Sequence, residues 1–430
     1  MPDILEKTES IPFSSLSPIR EPARRAVLAS LYERLVMSAM AGMDQGYLEI
    51  TQPNGRVKTL GKPDADIQAT IRITNPEFFR KCVLYGDIGF GEAYVEGDWQ
   101  TDNLTDVIRW MILNVNSNPA MSGSSRSFKA VNLLHGLNKL IHRFKPNDKN
   151  GSQKNIHDHY DLSNEFFKTF LDPSMTYSAG IFETPDQSLE QAQWLKYDRL
   201  CRKLKLKSTD RVLEIGCGWG GFAVHAAKQY GCHITGITIS REQLAYARER
   251  VMREGFQSKI DLRFEDYRNV KGAYDKIVSI EMLEAVGHEF LEPYFAKCHE
   301  LLTPQGILGL QVITCPDNRY DELRGGVDWI QKHIFPGSLL PSVSAVNRAV
   351  NNTGNMVLNH LEDLAINYAK TLQVWRKNLN ARETTIQSLG FDDAFIRKWN
   401  YYFSYCEAAF SMRNIAVLQM IYTRPNNRSL

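Results

Sequence analysis

A doubly wound α/β sheet, preceded by a smaller α+β unit and followed by a helical region, is the architecture this sequence predicts. Three observations carry that expectation. Apolar, β-branched runs at Arg211–Ile215, 233–237, 276–280 and 307–313 alternate with helical spacing, the pattern of parallel strands joined by crossover helices. A glycine-rich turn follows the first of these runs directly, at the strand end where such sheets take their ligands. The 430 residues are 43% hydrophobic and 23% charged, enough for one large or two ordinary domains with a sizeable core, which excludes wholesale disorder.

From the N-terminus, Glu21–Met40 has helical apolar spacing with Pro22 in its first turn, and short β-like runs alternate over 46–74 around Pro53-Asn54-Gly55. Together they predict a small α+β domain. Residues 117–127 are small and polar without any period and read as a linker, a short amphipathic helix is expected over 128–144, and a second polar stretch covers 146–154. The domain boundary is therefore placed near residue 150, giving units 1–150 and 151–430. Beyond the strand runs the pattern turns mainly helical from Asp317, with aromatic residues Trp399, Tyr401, Tyr402, Phe403, Tyr405 and Phe410 that read as core, some of them candidates to line a channel.

Composition narrows the function classes. With 51 basic against 49 acidic residues, nothing global marks a nucleic-acid binder. No apolar run approaches the roughly 20 residues of a membrane span, and Met1-Pro2-Asp3-Ile4-Leu5-Glu6 lacks the basic and apolar regions of a secretory signal, so a cytoplasmic location is expected. The 7 cysteines are odd in number without a Cys-x-x-Cys pair and should be free thiols. His157, His159 and His288 do not share metal-ligand spacing, and no metal is expected. Lys139, His142, Arg143, Lys145, Lys149 and Lys154, followed by Arg202, Lys203, Lys205 and Lys207, form either a solvated face or a patch for anionic lipid headgroups.

The chemistry centres on Glu214-Ile215-Gly216-Cys217-Gly218-Trp219-Gly220-Gly221, followed by a helix over 222–230. Its Glu-x-Gly-x-Gly-x-Gly spacing differs from the dinucleotide pattern and lacks a phosphate-loop lysine, so an S-adenosylmethionine (SAM) pocket is the better reading than a NAD site or a structural turn. No acidic ribose ligand stands at the end of the next strand, and Thr238, Ser240 and Gln243 are candidates to replace it, with Ser240 alternatively a helix cap.

Around that turn, His159-Tyr160-Asp161-Leu162-Ser163-Asn164, Leu171-Asp172-Pro173-Ser174-Met175-Thr176-Tyr177-Ser178, Glu281-Met282-Leu283-Glu284-Ala285-Val286-Gly287-His288 and the stretch 334–342 closely resemble the cyclopropane fatty acid synthase family, which includes the mycolic acid methyltransferases. The resemblance runs from residue 151 to near the end, with a looser match around 85–94. It implies methyl transfer from SAM to the double bond of an unsaturated acyl chain, usually in a phospholipid at the membrane surface, by a peripheral enzyme. By the same match, Tyr177, Ser178, Gly216, Gly218, Thr238 and Gln243 contact SAM, with Asp266 and Tyr267 near the adenine. Glu284, the backbone of Ile313, and Tyr368 line a bicarbonate site, whose occupant takes a proton as the ring closes. The 1–150 unit becomes an accessory, lipid-binding candidate, and a homodimer is compatible with the resemblance.

The physical argument for Glu284 is that a carbocation in an apolar channel needs preorganised negative or π-rich groups; the blander readings are a carboxylate at a helix N-terminus and, for Tyr368, a core tyrosine. Two departures stand out. Ala179 replaces the cysteine that helps hold bicarbonate, and Gln311 replaces a histidine; glutamine still donates a hydrogen bond, alanine's side chain does not. If bicarbonate binds poorly, the carbocation can shift a hydride and lose a different proton, giving a methylene or methyl-branched product. A methyltransferase of a soluble small molecule and a lipid-binding protein with a degenerate site are the alternatives.

Overall fold

The protein is described from a computed structural model over residues 21–115 and 162–428. The linker, the helix expected over 128–144, the basic segment 139–154 and the boundary near 150 lie outside the described residues.

The N-terminal unit follows its sequence pattern. After the helix Glu21–Met40, strands β1 (Tyr47–Thr51) and β2 (Val57–Gly61) pair antiparallel, with Thr51 opposite Val57 across the Pro53-Asn54-Gly55 turn. Strand β3 (Gln68–Ile73) runs parallel to β1 and buries Ala69, Ile71 and Ile73 on one face, and the two-residue β4 (Trp99–Gln100) closes the order β2-β1-β3-β4. Helices Glu77–Val95 and Leu104–Asn114 accompany this sheet; the second is capped by the Asn103 side chain, which accepts from the Asp106 amide.

The second sheet has seven strands in the order β10-β11-β9-β8-β5-β6-β7. These are β5 (Arg211–Ile215), β6 (His233–Thr238), β7 (Ile260–Phe264), β8 (Tyr274–Ile280), β9 (Leu302–Thr314), β10 (Val357–Asp363) and β11 (Ala416–Thr423). Strands β5 to β9 are parallel, and β5 sits between β6 and β8, so the chain reverses its winding where the glycine turn leaves β5. The C-terminal region is mainly helical, as expected, and it also adds two strands to the sheet: β11 pairs antiparallel with β9 from Ala416 opposite Thr314 to Thr423 opposite Ile307, and β10 then pairs with β11. β10 is exposed along nearly its whole length, and its apolar residues Val357, Leu358 and Leu361 follow no alternation that reads as a strand. β7 carries no predicted run either, because its charged residues Asp261 and Arg263 interrupt the apolar pattern at the sheet edge.

One hydrophobic core joins the two parts, running from Leu48, Trp99 and Trp110 into Phe166, Trp375, Trp399 and Phe410. Buried aromatics of this size each remove on the order of 150–250 Å² from water, so apolar burial dominates the junction. Polar contacts fix its register: Thr105 donates to Glu407 at 3.0 Å, Arg397 Nε donates to the Tyr94 carbonyl at 2.7 Å, and Lys332 pairs with Glu92 at 2.6 Å. The helices Ala365–Ala381 and Asp393–Ser411 thereby bind the N-terminal unit to the catalytic sheet.

Candidate active site

A cavity of about 540 Å³ opens at the carboxyl ends of β5, β6, β8 and β9. Its wall includes Phe90, Ile108 and Met111 from the N-terminal helices and Phe335, Tyr402 and Phe410 from the C-terminal region. It is one continuous space shared by both parts of the chain.

At the sheet end, Gly216 and Gly218 have φ of +84° and +50°, and the Gly216 and Cys217 amides both donate to the Ile237 carbonyl, at 3.0 and 2.9 Å. That pins the turn to β6. A Cβ on Gly216 would lie 3.0 Å from the Met282 side chain, whereas a Cβ on Gly218 would meet nothing within 4 Å. Gly218 therefore presents bare backbone to the cavity, as close approach to a ligand requires. Thr238 and Gln243 line the same end, with the Thr238 hydroxyl donating to Gln243 Oε1 at 3.2 Å. Ser240 instead caps the helix Arg241–Glu254 by accepting from the Gln243 amide, and its side chain is not a cavity group. Asp266 and Tyr267 lie on the wall as expected; Arg268 grips the Asp266 carboxylate through its backbone amide and guanidinium at 2.9, 2.8 and 2.6 Å, which fixes the carboxylate's direction. These residues fit SAM.

Tyr177 and Ser178 also line the cavity. The Tyr177 hydroxyl donates to that of Tyr402 at 3.1 Å, and the Ser178 hydroxyl accepts from Lys196 Nζ at 2.6 Å. Lys196 is completely buried, and desolvation lowers its pKa to about 8 against the pull of Glu281, Asp172 and Glu214. On a helix with so many exposed charges it reads as one more solvated lysine, which is why sequence reasoning passed over it.

The carboxylate group is larger than the sequence suggested. Glu284 Oε1 accepts from the Ile313 amide at 2.5 Å, while its buried Oε2 has no hydrogen-bond partner among the described residues. Burial, then the neighbouring Glu281, raises the Glu284 pKa to about 8. Glu281, the first residue of the Glu281–His288 motif, also lines the cavity. Its Oε1 accepts from the Ala179 amide at 2.9 Å and from Gln311 Nε2 at 2.7 Å, and the Tyr368 hydroxyl bonds to the same carboxylate. Burial raises its pKa, and the bonds from Gln311 and Ala179 oppose that rise.

Bicarbonate, in contrast to SAM, does not fit. The amide of Ile313 is engaged by Glu284, and the groups at positions 179, 311 and 368 already converge on Glu281. A second anion there would lie against the Glu281 carboxylate, and the amides of Ala179 and Ile313, Gln311 Nε2 and the Tyr368 hydroxyl are already directed at Glu281 and Glu284. The bicarbonate expectation is therefore corrected for this chain.

Among the aromatic residues of the stretch 399–410, Trp399 and Phe403 belong to the core alone, whereas Tyr401, Tyr402 and Phe410 are core residues that also border the cavity, and Tyr405 lines it too. Tyr368 stacks on Phe410 with ring centroids 4.5 Å apart, so it is both a core aromatic and a polar wall group. His288 bonds through Nδ1 to the Tyr320 hydroxyl at 2.6 Å. Among the described residues no three histidine, cysteine or acidic side chains are grouped to hold a metal ion, and no helix is long and apolar enough to cross a membrane.

Comparison with known proteins agrees with this geometry. The family model for mycolic acid cyclopropane synthetase matches residues 147–420. Tuberculostearic acid methyltransferase UfaA1 of Mycobacterium tuberculosis is 37% identical over 356 residues, covering 80% of this chain and 81% of that protein. Cyclopropane-fatty-acyl-phospholipid synthase of Escherichia coli is 34% identical over 370 residues, covering 83% and 88%. The solved structure of mycolic acid cyclopropane synthase CmaA1 complexed with SAH and CTAB superposes with a TM-score of 0.58 at 29% identity, covering 63% of this chain and 98% of that one. With its family model spanning the glycine turn, Glu281, Glu284 and nearly all of the seven-stranded sheet, the chain belongs to the mycolic acid cyclopropane synthetase family.

Proposed function

We propose that this chain transfers the methyl group of SAM to the double bond of an unsaturated acyl chain carried by a phospholipid, and that the product is a cyclopropane fatty acid. The observation that carries the reading is the single cavity joining the Gly216-Gly218 cradle to the buried carboxylates Glu281 and Glu284 and to apolar aromatic walls. The phospholipid substrate is supported by the E. coli relative, whose name specifies an acyl phospholipid.

Bound SAM supplies an electrophilic methyl on a sulfonium centre. The chain does the rest. Gly218 admits the cofactor to backbone contact, while Phe335, Phe410 and Tyr402 line the cavity, exclude water and supply aromatic surface near the positive charge that develops on the acyl chain. Glu284, fixed by the Ile313 amide, places a preorganised carboxylate beside that charge.

A second reading, a methylene or methyl-branched product, is favoured by Glu281, Gln311 and Ala179, which together replace the bicarbonate arrangement, and by the name of the tuberculostearic acid relative. Incubation with SAM and vesicles of unsaturated phosphatidylethanolamine, followed by mass spectrometry, is expected to show acyl chains heavier by one CH₂. Ozonolysis then separates the products, since a methylene group is cleaved and a cyclopropane is not. Unchanged lipid alongside methylation of a soluble amine would overturn the lipid reading.

The lipid must be reached at a surface, and we place the enzyme in the cytoplasm, held peripherally by the basic residues of 139–154. Of the second basic cluster, Lys203 contributes little, because it is turned inward to Glu362 and Gln419. The protein is expected to co-sediment with anionic vesicles at low salt and to be released at 1 M, where the screening length is about 3 Å. Sedimentation indifferent to both salt and lipid charge would count against surface attraction.

A further inference from the structure

We propose that Glu281 is the proton acceptor of the reaction, a carboxylate built into the chain at the place where a free bicarbonate would otherwise be held. The inference rests on the methyl-transfer reading and deepens it at the same site.

Three features of the structure converge on this role. The first is the donor set, since the Ala179 amide, Gln311 Nε2 and the Tyr368 hydroxyl all point at one carboxylate that also borders the cavity. The second is the backbone. Glu281 has φ of +49°, a left-handed conformation uncommon for a residue with a Cβ, and its amide is fastened to the Gln311 carbonyl at 2.7 Å. Such a conformation persists where surrounding structure over-determines it, and it aims the side chain back over β9. The third is a chain of hydrogen bonds that fixes which end of Gln311 faces Glu281. Lys203 Nζ donates to Gln419 Oε1 at 2.7 Å, Gln419 Nε2 donates to Gln311 Oε1 at 3.0 Å, and Gln311 is left to donate onward. Gln311 and Gln419 are cross-strand partners in the β9–β11 pairing, so the relay is built into the sheet register.

The step balances without an outside base. The alkene π pair forms the new bond to the methyl carbon, the sulfur–methyl bonding pair stays with sulfur, and the positive charge falls on the second alkene carbon. Glu281 then takes a proton from the transferred methyl, and the C–H pair left behind closes the ring. After a hydride shift, loss of a proton from the methyl to the same carboxylate gives a methylene group instead. The protonated Glu281 returns its proton to water when the product leaves.

The test compares wild type with Glu281→Gly, chosen because glycine adopts φ of +49° freely and its fold should survive. Wild-type turnover on unsaturated phospholipid vesicles is expected to be the same, within about twofold, in carbonate-depleted buffer and in added bicarbonate. Glu281→Gly should lose on the order of 10²- to 10³-fold, the usual contribution of a general base, and recover at least about tenfold when bicarbonate is supplied. A readout independent of turnover accompanies this: bicarbonate should raise the melting temperature of Glu281→Gly and leave that of wild type unmoved. Bicarbonate-dependent wild-type turnover, an undiminished Glu281→Gly enzyme, or a folded Glu281→Gly protein that neither binds nor is rescued by bicarbonate would each overturn the assignment. Wild type that makes no methylated lipid, while bicarbonate still stabilises only Glu281→Gly, would leave the built-in anion standing and refute the substrate reading beneath it.

Discussion

Replacing Gly218 with leucine is expected to abolish SAM binding in titration calorimetry while the protein stays folded. The two halves of that expectation come from one measurement of space. A Cβ built on Gly218 meets no protein atom within 4 Å, so the added side chain starts in open space on the cavity wall, in the volume the cofactor needs. Backbone strain at φ of +50° is modest beside the loss of a whole ligand contact surface, because this angle lies in the left-handed region that asparagine also visits. The expected loss is at least about a hundredfold in affinity, equivalent to about 2.7 kcal/mol. Gly218→Asn serves as the comparison, since it shares the backbone preference with less bulk and should bind with an intermediate constant. Gly216 makes a poorer probe, as its Cβ would press on Met282 at 3.0 Å and mix a folding effect with a binding one. Leucine at 218 with unchanged affinity would remove the glycine turn from the cofactor site.

How much of this was legible before any coordinates follows from what each feature depends on. Strands β5, β6, β8 and β9 and the turn after β5 are written in contiguous residues, a β-branched run and a glycine pattern, and local chemistry suffices to read them. β10 is not, since its apolar residues Val357, Leu358 and Leu361 do not alternate with polar ones and all are exposed. Within the site, Gly216, Gly218 and Thr238 reach the cavity at the ends of strands the sequence predicts, and Gln243 stands in the first turn of the helix that follows; Asp266 and Tyr267 follow β7, whose pattern is broken, and were legible only through the family resemblance. Glu281 was hidden for a different reason. Its partner amide lies 102 positions away at Ala179, and only the β8–β9 register, with Ile280 opposite Gln311, brings the third member alongside. Lys196 was hidden by the opposite error, the habit of reading a lysine among charged helix residues as solvated, when its helix turns that face inward over Gln193 and Ser178.

Glu284→Gln should cut turnover by on the order of 10²- to 10³-fold, the usual consequence of removing one preorganised electrostatic contact, with SAM affinity changed only a few-fold. The substitution is clean for a geometric reason: the amide oxygen of glutamine can still accept from the Ile313 amide, so the anchor remains while the negative charge facing the developing cation is gone. Stability supplies a second measurement with a definite sign. Burial and Glu281 raise the Glu284 pKa from 4.5 to about 8, so in that interval the folded protein holds a proton that the unfolded chain has released. Folding then binds protons, and this group's contribution to stability falls as pH rises from 4.5 toward 8. Glu284→Gln removes the dependence, and denaturant midpoints for the variant should therefore gain on wild type between pH 5 and pH 8. Binding of a cationic cofactor should pull the same proton off, so calorimetry near neutral pH, repeated in buffers of different ionisation enthalpy, is expected to report proton release for wild type and less of it for Glu284→Gln. Bicarbonate should not rescue this variant, because its lost charge is a stabilising field and not the proton acceptor assigned to Glu281. A Glu284→Gln enzyme of near wild-type rate would strike this carboxylate from the mechanism, and a rate restored by bicarbonate would show that the two glutamates exchange the roles given to them here.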